Sequence, residues 1–225
     1  MTLEGLMEEV CHVGAQAISR LTQLGLSTEM IHQALETAAA DARTCTALDA
    51  PGAAASLFWS RSNRYMREQL IPEDWKFSNR LTILRTIHPS GTFAITAMSA
   101  SKGVGDPDAP VRAKNPKGAA IAVLVELNQQ LGLFPLEDLG ITISEETERN
   151  VDDLPTWFIL YRMDETGIAV EVSLPVKMHG KYVDTWAERI MVDTIPFGDG
   201  GAEFNINTDD NDDQGPEFDV TYKGI

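Results

Sequence analysis

At 225 residues, 43% hydrophobic and 23% charged, the chain has the length and composition of one large globular domain or two small ones, which excludes wholesale disorder. Its 34 acidic against 18 basic residues, a net charge of −16, repel nucleic acid at long range, so any polyanion contact has to be local. No apolar run reaches the roughly 20 residues of a membrane span. Glu4, Glu8 and Glu9 stand where a signal peptide has a basic flank, and Cys11 and Cys45 lack CxxC or histidine spacing, so a cytoplasmic protein with reduced packing thiols is expected.

In chain order, residues 3–24 read as an amphipathic helix, with Leu3, Leu6, Met7, Val10, Val13, Ala17, Ile18 and Leu21 at three- and four-residue steps. Gly25 suits the end of that helix, and Ser27 suits the N-cap of a second helix running to Leu48. Ile31, Ala34, Leu35, Ala38, Ala42 and Cys45 would line its inner face. The two form an antiparallel helical hairpin whose alanines allow close packing against a neighbour, including a second copy in a homo-oligomer. Pro51-Gly52 breaks the run, and a third helix is expected over 53–70 with Leu57, Phe58, Tyr65, Met66 and Leu70 inward.

From residue 81 the period turns to alternation. Residues 81–87 and 92–98 flank His88-Pro89-Ser90-Gly91, and residues 157–163 and 168–174 flank Asp164-Glu165-Thr166-Gly167, two hairpin signals. A fifth strand is expected over 188–195 and a buried helix over 119–131, with a polar connection at 138–155. The expected fold is α+β: a helical hairpin plus a third helix, then a mostly antiparallel sheet of about five strands in the order ββ-α-ββ-β, with one face covered by helices. This divides the chain into a helical region, 1–72, a sheet region, 73–197, and an acidic tail, 198–225.

Charge is unevenly placed. Residues 61–117 carry +5, whereas residues 1–60 carry −5 and residues 118–225 carry −16. Within the basic island, Arg61, Arg64 and Arg67 form a stripe on the third helix. The segment 99–118 sets Lys102, Arg112, Lys114, Lys117 and Gly118 ahead of the fourth helix, whose free amides favour an anion. These are the candidate nucleic-acid or anion-binding residues. A Walker run is absent, and Gly103-Val104-Gly105 lacks the third glycine of a dinucleotide loop, so no phosphate fingerprint is complete.

Other signals fail on spacing. Asp209-Asp210-Asn211-Asp212-Asp213 begins like a calcium loop, but the glycine falls at position seven and Val220 occupies position twelve, so no metal is expected. His12, His32, His88 and His179 do not cluster, and no Gly-x-Ser-x-Gly elbow occurs. Glu171 and Lys177 are too far apart for a nuclease Glu-x-Lys pair, and Glu171 reads as solvent-facing. Trp186, Glu188 and Arg189 read as a packed anchor and a cross-strand ion pair.

These features favour a non-enzymatic acidic interaction protein without a cofactor. It would act as an inhibitor or accessory factor that docks on a basic protein or on a basic surface of nucleic-acid-handling machinery, as a polyanion mimic. Asp209, Asp210, Asp212 and Asp213 would supply charge, and Phe218 and Tyr222 would anchor an added strand. The alternative is a nucleic-acid or phosphate-binding module using the basic island, and the third possibility is a motif-poor enzyme.

Overall fold

The computed structural model describes residues 9–133, 153–164 and 166–197. Its first element is a strand, β1 (Val10–His12), followed by α1 (Gly14–Gln23). The periodic run expected as one helix is therefore split, and Leu3, Leu6 and Met7 lie outside the described residues. Val10, Cys11 and His12 pair in parallel with Glu188, Arg189 and Ile190, so strand hydrogen bonds replace helical ones.

Gly25, at φ +65°, ends the first helical run, and the Ser27 hydroxyl accepts the Met30 N–H at 3.2 Å to cap α2 (Thr28–Ala42). That helix stops short of the expected Leu48. Thr44 and Asp49 draw the backbone into turns, the Asp49 carboxylate taking the Thr46 N–H at 2.7 Å. The third helix, α3 (Ala53–Leu70), has the expected bounds and begins after Gly52 in the left-handed conformation.

Six further strands follow: β2 (Lys76–Ser78), β3 (Arg85–Ile87), β4 (Ala94–Ser99), β5 (Thr156–Met163), β6 (Gly167–His179) and β7 (Tyr182–Pro196). The fourth helix, α4 (Ala119–Leu133), joins β4 to β5. Among the described residues the sheet has seven strands, in the order β1-β7-β6-β5-β4-β3-β2. It is mixed, because β1 runs parallel to β7 and β4 parallel to β5. Both expected hairpins form, within an α+β fold. The expected count of about five strands and the order ββ-α-ββ-β do not hold, because β1 and β2 precede the first expected hairpin; four of the six strand pairings are antiparallel and two parallel.

Helices cover both faces, where one was expected. On one side α1, α2 and α3 pack Leu21, Ile31, Leu35, Phe58 and Met66 against Ile95, Ile159, Val170 and Ile190. On the other, α4 and the 99–118 segment pack Leu124, Val125, Val104 and Val111 against Phe158, Leu160 and Trp186. Thr156 to Tyr161 are consequently buried at every position, as a strand sandwiched on both faces requires. Burial of each such aliphatic or aromatic side chain is worth about 1.5–3 kcal/mol.

Two buried asparagines complete the sheet from opposite sides. Asn63 of α3 accepts the Ala97 N–H at 3.0 Å and donates to the Ala97 carbonyl at 3.1 Å, standing in for a strand neighbour where β3 has ended. Asn128 of α4 does the same for Thr156, accepting its N–H at 3.0 Å and donating to its carbonyl at 3.1 Å. It also donates to the Pro175 carbonyl at 2.9 Å, at a point where proline has no N–H to offer the ladder. Among the described residues, no helix is long and apolar enough to cross a membrane.

Candidate functional site

The arginines of the α3 stripe each meet a neighbour within the fold, Arg61 and Arg67 partly buried and Arg64 exposed. Arg61 pairs with Asp41 of α2 at 2.8 Å and Arg64 with Glu68 one turn on at 2.7 Å. Arg67 donates to the Ser78 carbonyl at 3.2 Å, the Asn79 side chain at 2.9 Å and the Arg85 carbonyl at 3.2 Å. Its guanidinium also lies 4.9 Å from the centre of the Phe77 ring, and burial lowers its pKa. Arg67 thus ties α3 to the β2–β3 edge, and the three arginines do not join the rest of the basic island.

The 99–118 segment is fastened across the second face of the sheet. Trp186 Nε1 donates to the Val111 carbonyl at 3.0 Å, the Ala113 N–H to Val183 at 2.8 Å and the Lys117 N–H to Lys181 at 2.7 Å. Beneath it lies a buried clamp. Arg189 Nη2 meets Glu171 Oε2 at 2.7 Å, and Nε meets Oε1 at 2.9 Å. The guanidinium also donates to the carbonyls of Ala109 at 3.1 Å, Asp106 at 3.1 Å and Gly103 at 3.4 Å. Glu171 accepts the Gly105 N–H at 2.9 Å and the Ser173 hydroxyl at 2.7 Å.

Burial works against the Arg189 charge, but the hydrogen bonds and charge of Glu171, with Glu9 adding to them, outweigh it and raise the guanidinium pKa. Gly103 is required here: at φ +97°, a Cβ would lie 2.4 Å from the Pro110 carbonyl oxygen. Glu171 is fully buried, so its expected solvent-facing position is corrected. Alternation did place it on the face away from Ile168, Val170 and Val172, but that face is covered. The expected Trp186 anchor and the cross-strand pair of Arg189 are both present. Glu188 pairs instead with His12 at 2.8 Å and with Arg20 of α1.

The fastening gathers a basic corner at the tip of the β6–β7 hairpin. Arg112 stacks over the Tyr182 ring at 4.6 Å, and Lys114 and Lys117 follow on the same segment beside Lys181. Lys181 and Tyr182 were missed in the sequence because neither belongs to the 99–118 run; only the pairing across the hairpin brings them in. Lys102, Lys114 and Lys181 already engage other groups. Lys117 is partly buried, and desolvation lowers its pKa to about 8. Its ammonium has no ion-pair partner among the described residues. The Gly118 carbonyl accepts the N–H groups of Ile121 and Ala122 at 3.1 and 3.2 Å and so opens α4.

The partner-docking candidates Asp209, Asp210, Asp212, Asp213, Phe218 and Tyr222 lie outside the described residues, as does most of 138–155. The histidines occupy four separate places: His12 on Glu188, His32 on the Asp193 carbonyl, His88 on Ser90 and His179 on Asp184. No group of three or more His, Cys, Asp or Glu that could hold a metal occurs among the described residues. Cys11 and Cys45 are free thiols, and burial raises the pKa of Cys11. Compared with protein-family models, curated proteins and solved structures, the chain matches none.

Proposed function

We propose that the protein is a non-enzymatic interaction protein whose acid-rich segments engage a basic surface, of the kind found on nucleic-acid-handling proteins, as a mimic of a polyanion. The partition of charge along the chain carries this reading: residues 118–225 hold 22 of the 34 acidic residues and only 6 of the 18 basic ones. Charge concentrated in this way raises the encounter rate with a cationic partner and selects it over neutral ones. Within the body, the best-buried ion pair, Glu171–Arg189, is committed to holding the 99–118 segment.

The test is affinity capture from the native host at low salt. Captured proteins are expected to be basic, to be displaced by duplex DNA, and to be lost when residues 198–225 are deleted. A second reading has its own observation: the corner where Arg112, Lys114, Lys117 and Lys181 converge beside Tyr182 suits a phosphate backbone. If the protein itself retards DNA at low salt and Lys114→Glu with Lys117→Glu abolishes that, the second reading replaces the first.

A further inference from the structure

Where the β3–β4 turn meets the helical layer, one histidine is enclosed by aromatic rings and backbone. His88, half-buried, directly follows β3. Its ring stacks on Phe93 across the turn, with 4.6 Å between centroids and 21° between planes. Trp75, buried at the entry to β2, meets the same ring at 4.8 Å and a near-right angle of 81°. From a third side comes Gly25, between α1 and α2. A Cβ there would lie 3.3 Å from His88 Nε2 and 3.4 Å from Trp75 Cζ2, so the corner closes tightly only on a glycine, which its φ of +65° also favours. One imidazole is therefore packed among the α1–α2 corner, the entry to β2 and the β3–β4 turn.

The hydrogen bonds around the ring fix its protonation state. The Ser90 N–H donates to His88 Nδ1 at 3.2 Å, so Nδ1 holds a lone pair and the proton of the neutral ring is on Nε2. The Ser90 hydroxyl, 2.7 Å from Nδ1, donates to the same lone pair, and its oxygen accepts the Thr92 N–H at 3.4 Å. The backbone closes the turn, Gly91 N–H to the His88 carbonyl at 2.8 Å and His88 N–H to the Phe93 carbonyl at 3.0 Å. A proton on Nδ1 would set two donors facing each other and leave the Ser90 N–H without its partner. We infer that His88 is a pH-sensitive latch: as the neutral Nε2–H imidazole it holds the β3–β4 turn, Trp75 and the α1–α2 corner together, and protonation at Nδ1 releases the turn. Burial lowers the pKa of the ring, and bonds that need the Nδ1 lone pair favour the same neutral form. Of the charged residues on these elements, Asp74 and Lys76 flank Trp75 and Arg85 opens β3, but burial alone moves the ring. The unfolded chain takes up this proton near pH 6.5, before the folded one does. The stability that the latch contributes is thus complete above that value and falls as the pH drops below it. The latch concerns the cohesion of the fold and is independent of the acidic segments and their partner.

The test combines nitrogen NMR of the histidine rings with amide hydrogen exchange, both on the full chain. At about pH 7.5 the His88 ring is expected to show an unprotonated Nδ1 and a protonated Nε2. Between about pH 7.5 and about pH 5.5, exchange at Ser90 and Thr92 is expected to quicken about tenfold once the intrinsic pH dependence is divided out. His88→Phe keeps a ring against Phe93 and Trp75 but has no proton to take, so the corrected exchange of the same amides should stay constant over that range. An Nδ1–H tautomer at about pH 7.5 in the unmodified chain would overturn the inference, even if the variant failed to fold. So would exchange that follows the intrinsic rate alone, or an acid response that His88→Phe retains.

Discussion

Removing either partner of the Glu171–Arg189 pair leaves the other as an uncompensated charge beneath the 99–118 segment, with polar groups of Gly105, Asp106 or Ala109 losing a bond as well. Glu171→Gln and Arg189→Met are each expected to cost about 3–5 kcal/mol in urea unfolding. The double substitution should cost less than the sum, because most of each single loss is an unpaired buried charge. Lys117 is the opposite case, a partly buried cation without an ion partner among the described residues. Its pKa of about 8, against 10.5 for an unburied lysine, means that between those values the unfolded chain binds more protons. Stability contributed by this group therefore rises with pH across that window. Lys117→Met should raise the thermal midpoint at pH 7, and the difference from the parent should shrink as pH climbs past 8 and vanish near 10.5.

At the scale of elements, the sheet depends on helices to finish it. Asn63→Ala would strand the Ala97 N–H and carbonyl in the core and is expected to cost about 2–4 kcal/mol. Asn63→Asp should be no better, since a carboxylate can accept that N–H but cannot donate to the carbonyl; a near-neutral Asn63→Asp in urea unfolding would remove the argument. These roles were not legible in the sequence, where a lone asparagine in a helical pattern is indistinguishable from a solvated one. What was legible had period or punctuation: α3 between Gly52 and Leu70, the Ser27 cap, and both hairpins around their turns. Strands of three residues, β1 and β2, have too few positions to show alternation, and β1 was absorbed into the helical period beside it. The cover on the second face did leave a trace, Trp157-Phe158-Ile159-Leu160-Tyr161, apolar at every position, which only a strand buried on both sides can use.

At the scale of the molecule, the uneven charge was legible, but its meaning depended on which residues pair within the fold. The +5 of residues 61–117 looked like one surface, yet Arg61, Arg64 and Arg67 are spent on Asp41, Glu68 and backbone carbonyls, leaving the corner beside Lys181 as the basic feature. The −16 of residues 118–225 is what a cationic partner would meet, so capture of a basic partner is expected to collapse between low salt and about 0.5 M sodium chloride, as screening removes the attraction that steers the encounter. Capture that persists unchanged at about 0.5 M would mean that apolar contacts hold the partner, and the polyanion-mimic reading would fail.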